Sequence, residues 1–326
     1  MSDQDEIGLK PNCKLKQILE MPVASGNIYW LKQKSKGQVL IARAGDLLNL
    51  NLIKKFNDDH KFHVERVMKF DNFMDMKNKL QAYKSSKLER TRIQNIVSFL
   101  VEVRDLYYLE GKESSILSLS SACLDSFKYE DSEFYRELYE LSVPLFKRSI
   151  RFAALGAVYA LAMGYTDFKL VQDFYNICFY GVYGFLNDNY TSQTLEFLEQ
   201  ERTNAGTLAV RITAIKNEME EKFQGQFSHQ FVENMRNFCF EKRDGVGLPQ
   251  KINEDELNDL ENIYVLLSNT MTFQELEFKP ADGNQYIWKM LKTENAVKGM
   301  FRIKGMLGKR FDEIKLIEQS YAEMMA

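Results

Sequence analysis

The chain has 326 residues, with 43 Lys and Arg against 46 Asp and Glu, a formal net charge of −3 and a pI near 5.9. That balance excludes a sequence-independent attraction of the whole chain to nucleic acid or anionic lipid, leaving only local patches to consider. Hydrophobic residues at 45% and charged residues at 27% are those of a globular protein long enough for two domains, or for one large domain with an accessory module.

Residues 1–24 open on "MSDQDEIGLKPNCK", which is acidic and polar and has no apolar core of a signal peptide; they read as a loosely ordered leader. A small α+β domain is expected over 25–80. "NIYWLKQ" and "GQVLIARAGD" are rich in β-formers and are separated by the turn sequence "KSKG". Asp46 is placed to cap a helix whose apolar face is Leu47, Leu48, Leu50, Leu52, Ile53 and Phe56. "HVERVMKF" is expected as a third strand.

From Met74 the period becomes helical. Ile93, Ile96, Val97, Leu100, Val103, Leu106 and Tyr107 recur at three and four residues, predicting a long amphipathic helix that joins two units, with a connector over 81–130. An all-α body then follows over 131–326. Helices are expected at Phe134–Phe146, Ser149–Met163, Phe168–Leu186, Thr194–Phe223, Gln230–Phe240 and Glu254–Met271, with two more up to Met325. The weakly polar run Phe152–Gly164 is too short to span a bilayer and has the small residues of a packed helix, so no membrane association is expected. Cys13, Cys123, Cys178 and Cys239 are scattered, form no C-x-x-C pair and read as reduced, mostly buried thiols, in keeping with a cytoplasmic location.

The segment "EKRDGVGLP" is a charged turn set between helical stretches. It resembles the end of the H-H-E-x-x-D-G-x-G-Y-P signature of the HD-GYP family, metal-dependent phosphodiesterases of cyclic di-GMP built on an all-α HD fold. Glu241, Asp244, Gly245, Gly247 and Pro249 carry the match, and Leu248 stands where the family has Tyr. Upstream, "RSIRFAALGAVYALAMGYTD" has the spacing of the family's opening His-Ser-x-x-Val helix. Downstream, Gly308 and Phe311-Asp312 resemble its closing Gly-x-x-Phe-Asp. The head, with Gly45-Asp46 ahead of its helix, is similar to the small domain that often precedes HD-GYP modules. The implied fold class is an α+β N-terminal module followed by an all-α HD-like helical domain.

The resemblance implies a scaffold without its metal site. Such a site needs imidazoles and carboxylates converging at roughly 2 Å from the ions, so that a bridging water is acidified for attack on phosphorus. The family's ligand positions fall instead on Arg148, on Gly181 and Val182 (or Tyr180 and Gly181), on Arg202, on Cys239 and Phe240, and on Ser268. Guanidinium is permanently protonated and has no lone pair to give a cation, so arginines at such positions repel metal and favour an anion. No cofactor is expected. The loop keeps its turn chemistry, Asp244-Gly245 to begin, Gly247 for a backbone other residues resist and Pro249 to close.

Remaining features have two readings each. Lys298, Arg302, Lys304, Lys309 and Arg310 could contact phosphate together with Arg148 and Arg202, or could line a solvated helix face. Phe174, Tyr175, Phe179, Tyr180, Tyr183 and Phe185 could stack a base or fill a core. His60 and His63 would need further ligands to hold a metal, and His229 matches no ligand position. There is no P-loop, no G-x-S-x-G elbow and no Cys–His pairing in the sequence. The expected function is that of a non-catalytic signalling protein that binds a protein partner, with a homodimer a further option on the long connecting helix. One alternative is an effector that holds cyclic di-GMP or a related nucleotide without hydrolysis. Another is an active phosphodiesterase whose atypical metal site draws on Glu241, Asp244 and His229.

Overall fold

A computed structural model describes residues 10–32, 37–66, 70–107, 113–129, 134–180, 257–270 and 298–325. The first part is a three-stranded antiparallel sheet in the order β2-β1-β3, made of β1 (Gly26–Leu31), β2 (Gln38–Ala42) and β3 (Lys61–Arg66). Side chains alternate as a half-buried sheet requires: Ile28, Phe62 and Val64 are buried, while Tyr29 reaches Glu65 on the opposite face with its hydroxyl. The central strand pairs Tyr29 with Leu40 on one side and with His63 on the other, and the β1–β2 register shifts between Ile28 and Tyr29.

Three expectations for the head are corrected by packing. Leu15 and Ile18 on a short helix, α1 (Leu15–Leu19), are buried together with Met21, Val23 and Ala24, so the segment Lys10–Ala24 is part of the folded body. Their apolar area is worth about 1.5–3 kcal/mol per large side chain, enough to hold a short segment that has little helical stability of its own. The helix after β2 shrinks to a single turn, α2 (Leu50–Ile53), and Asn49 caps it, accepting from the Leu52 N–H at 3.1 Å. Asp46 is not that cap. It closes the preceding turn, accepting from the Arg43 N–H at 2.8 Å, with Gly45 beside it at φ 75°.

The helices begin earlier than Met74. In α3 (Phe70–Ser85), Phe73, Met76, Leu80 and Tyr83 make the buried stripe at three- and four-residue spacing; α4 (Glu89–Tyr107) offers Ile96, Phe99, Leu100 and Val103. These two helices pack on each other, and α3 packs on α5 (Glu113–Phe127). The expected connector is therefore core: α5 buries Leu117, Leu119, Leu124 and Phe127 and also Ser118, Ser120, Ser121 and Ser126, small residues that let neighbouring helices come close.

A break divides α6 (Phe134–Leu141) from α7 (Val143–Ala162), where one helix through Phe146 is predicted by periodicity. Ser142 makes the break. Its backbone is extended, its hydroxyl accepts from the Leu145 N–H, and Pro144 in the first turn needs no donor there. The far end of α7 closes with Gly164 at φ 95°: its N–H bonds to the Leu161 carbonyl and the Tyr165 N–H to the Ala160 carbonyl, satisfying the last turn.

Helix α7 is the hub. It packs on α5, on α6, on α8 (Phe168–Tyr180), on α9 (Asp259–Thr270) and on α10 (Lys298–Met325). Nearly every residue from Leu145 onward is buried, Lys147 and Arg151 being partly exposed. Asn258 begins α9 with a reciprocal cap: its side-chain oxygen accepts from the Glu261 N–H at 2.9 Å and the Glu261 carboxylate accepts from its own N–H at 2.8 Å. The helices expected at Thr194–Phe223 and Gln230–Phe240 lie outside the described residues. No described helix is long and apolar enough to cross a membrane.

Candidate functional site

The candidate site is the region where α7, α9 and α10 meet. Arg148 projects from the first half of α7 and is only 7% exposed, with Ser149 beside it fully buried. One turn on, Phe152 lies under the guanidinium, whose carbon is 5.2 Å from the ring centroid, a cation–π geometry. The Phe152 ring also meets Tyr264 of α9 edge-on at 5.0 Å. Arg148 is thus held in a layer that continues into α9, the helix that also carries Ser268.

At the α9–α10 contact Arg302 forms an ion pair with Asp259 at 2.5 Å. Tyr165, from the turn after α7, lies close to both; burial, then the Asp259 charge, raise its hydroxyl above the ordinary range, with Arg302 opposing. The rest of the basic cluster does not converge. Among the described side chains of α10 the buried ones are Ile303, Leu307, Phe311 and Ile314; Lys304 is half-buried at the margin, while Lys309 and Arg310 lie in solvent. Arg310 pairs with Glu313 at 3.0 Å within the same helix, and Lys298 is the helix's first residue. At 100° per residue no single face can present all five cations to one ligand.

Several other singled-out residues have ordinary partners. The His60 Nδ1 lies 2.5 Å from the Asn57 side-chain oxygen, and its ring packs on Trp30 and Phe56. His63 donates from Nδ1 to the Lys10 carbonyl at 2.6 Å. Among the described residues no group of three or more His, Cys, Asp or Glu converges as a metal site. Phe174, Tyr175 and Phe179 of α8 are buried: Tyr175 stacks near Phe127 at 5.6 Å and Phe179 near Tyr135 at 4.4 Å, which is core packing. Cys123 and Cys178 are buried, and burial pushes both thiols up, away from thiolate chemistry; Cys13 is half-buried.

Gly181, Val182, Arg202, Cys239, Phe240 and the loop residues Glu241, Asp244, Gly245, Gly247, Leu248 and Pro249 lie outside the described residues, as do His229, Tyr183 and Phe185. Only Arg148 and the backbone position of Ser268 can therefore be placed among the seven ligand positions.

Two polar constellations escape a reading by motif. Asp46, on the turn after β2, takes the Lys147 ammonium at 2.9 Å, and the Tyr139 hydroxyl lies within reach of its charge; the Lys147 and Asp46 side chains are 13% and 14% exposed. This joint ties the sheet to α6 and α7 beside Arg148. Burial, then the Asp46 charge, push the Tyr139 hydroxyl up to about 12. The second is Asn176 in α8, which accepts from the Tyr135 hydroxyl at 2.6 Å and donates to the carbonyls of Phe127 at 2.9 Å and Gln172 at 2.7 Å. Its amide is spent on structure, fixing α8 against α5 and α6. No spacing signal announces either, because their partners are far apart in sequence. Set against protein-family models, curated proteins and solved structures, the chain matches none.

Proposed function

We propose that this chain is a degenerate HD-GYP-like cytoplasmic protein that acts by binding a protein partner and not by hydrolysing a cyclic dinucleotide. The observation that supports the reading most is Arg148. The resemblance puts a metal-binding His at this position, and the chain has a buried guanidinium there, seated on Phe152. A fixed positive charge at that place disfavours a divalent cation electrostatically, and an arginine offers it no lone pair. The surroundings favour a packed scaffold: Ser149 is fully buried and Phe152 is wedged against Tyr264, so the neighbourhood is filled by side chains.

The test is metal content and cyclic di-GMP binding measured on one sample purified without chelator. Protein free of transition metal that gives no heat with the dinucleotide supports the scaffold reading, and affinity capture then seeks the partner. Metal-free protein that binds the dinucleotide, with binding lost in Arg202→Glu, replaces it with the non-hydrolysing effector. Stoichiometric iron or manganese with turnover of the dinucleotide overturns the proposal in favour of a phosphodiesterase with an atypical site.

A further inference from the structure

The two outer edges of the sheet are treated differently. Along β3 the edge is closed by the segment Lys10–Cys13. The Asn12 N–H donates to the Phe62 carbonyl at 3.1 Å, its side-chain amide donates to the Val64 carbonyl at 2.9 Å, and its side-chain oxygen accepts from the Val64 N–H at 2.8 Å. A single asparagine so replaces a strand, and His63 fastens the cover through the Lys10 carbonyl.

Along β2 no described residue makes such a cover. The Lys32 N–H bonds to the Gly37 carbonyl at 3.0 Å, which fixes the phase of the β1–β2 ladder. With Leu31 opposite Gln38, Trp30 opposite Val39 and Tyr29 opposite Leu40, Val39 turns its backbone groups inward; Gln38 and Leu40 turn theirs outward. Gln38 is exposed and Leu40 is 43% exposed. No charged residue or proline lies within Gln38–Ala42 to discourage pairing, the usual protection of an edge strand.

Strand β2 and the residues flanking it in sequence carry one sign of charge, the nearest acid, Asp46, being paired with Lys147. From Lys32 to Arg43 the sequence holds Lys32, Lys34, Lys36 and Arg43 and no acid, in a chain whose net charge is −3. Lys32, which follows β1 and is bonded to Gly37 at the start of β2, and Arg43, which follows the end of β2, are exposed. A second copy of this edge would bring the same positive charge to the pairing. An extended segment with acidic flanks would be attracted instead, and would steer faster to the edge at low salt.

We propose that the outer edge of β2 receives an extended acidic-flanked segment of a partner protein as an added strand, bonded to the Gln38 and Leu40 backbone and held by Lys32 and Arg43. Strand addition draws its affinity from the main chain, so a generic strand-forming probe is a fair test. The inference goes beyond the reading of the helical body and stands without it, since metal and nucleotide assays do not report on this edge.

Two labelled peptides with the same core of alternating valine and threonine, one flanked by glutamates and one by lysines, are titrated into the full chain by fluorescence anisotropy. The glutamate peptide is expected to bind and the lysine peptide to fail. Leu40→Pro deletes an outward N–H that β1 does not use, and should weaken binding about tenfold or more while leaving the fold intact by circular dichroism. The double variant Lys32→Glu with Arg43→Glu should exchange the peptide preference, and decides the matter should Leu40→Pro disturb the fold. Equal binding of both peptides, no binding of either, or a preference unchanged by charge reversal overturns the proposal. So does a concentration-dependent dimer in sedimentation that Leu40→Pro abolishes, because the edge would then belong to self-pairing.

Discussion

Helices α7 and α10 both carry cations that the sequence marks as candidate anion contacts, and they use them in opposite ways. Arg148 on α7 is 7% exposed and stacked on Phe152, on a helix that other helices surround. Arg302 and Arg310 on α10 are half in solvent, each with a carboxylate partner, on a helix whose buried stripe, among its described side chains, is Ile303–Leu307–Phe311–Ile314. The same guanidinium is therefore a structural commitment in one place and an exposed charge in the other. Residue type alone does not tell them apart; the density of apolar and small residues around each does.

Reversing the buried charge is the strongest way to test that contrast. Arg148→Glu puts an uncompensated carboxylate in the α7–α9 layer and should cost about 3–5 kcal/mol, read as a lower urea midpoint. If Arg148 lay instead at an open, hydrated site, the loss would stay under about 1 kcal/mol, as for surface charges.

Close packing around α7 can be probed without charge. A Cβ added at Gly156 would come 2.8 Å from the Cys178 Sγ on α8, and Cys178 is buried, so the helices must move apart. Gly156→Ala should destabilise by about 1–3 kcal/mol despite the better helix propensity of alanine. A Gly156→Ala variant as stable as the parent would mean that α7 and α8 are not held at this distance.

The polar joint at Asp46 predicts a pH effect. Tyr139 is pushed up to about 12 by burial and the Asp46 charge, against an ordinary value near 10. A raised value means that the neutral phenol is favoured in the folded state. Its contribution is full below pH ~10 and is lost as pH rises toward ~12. Tyr139→Phe should therefore flatten part of the alkaline loss of stability between those values. An unchanged alkaline profile in Tyr139→Phe would place that loss on other groups, such as Tyr83 and Tyr165, which are also raised.

Local chemistry was the most legible part of this sequence. The three strands lie close to their expected places, because alternation and the "KSKG" turn are short-range signals. The helical period from residue 93 is realised in α4, with Ile96, Leu100 and Val103 inward, although Ile93 is 43% exposed. What failed was the inference from composition to order. Leu15, Ile18 and Met21 sit in a polar neighbourhood that reads as a leader, yet tertiary burial decides their fate. The serine-rich α5 has a weak helical signal and a deep position, because serines favour close helix contacts as well as turns. Asp46 had the residue type of a cap but found Arg43 and Lys147 instead, and Asn49 took the cap. Of the candidate site, the local environment of Arg148 became visible only through Phe152 and Tyr264, which come from two helices far apart in sequence.

At α9 the balance between cap and ion pair can be separated. Asn258→Ala removes one half of the reciprocal cap and leaves the Glu261 N–H without its acceptor, for an expected loss of about 1 kcal/mol. Asn258→Ser should recover most of it, since a hydroxyl can accept from the same N–H.

The smallest effect is expected at the α9–α10 ion pair. Arg302 is 50% exposed and Asp259 30%, so water and salt screen the attraction that a 2.5 Å contact suggests. A double-mutant cycle of Arg302→Ala and Asp259→Ala should give a coupling under about 1 kcal/mol, reduced further in high salt. A coupling comparable to the cost of Arg148→Glu would mean that this pair is desolvated in solution and that α10 holds its cations as tightly as α7 does. The difference between the two helices would then vanish, and with it the case for treating the α10 cluster as a solvated face.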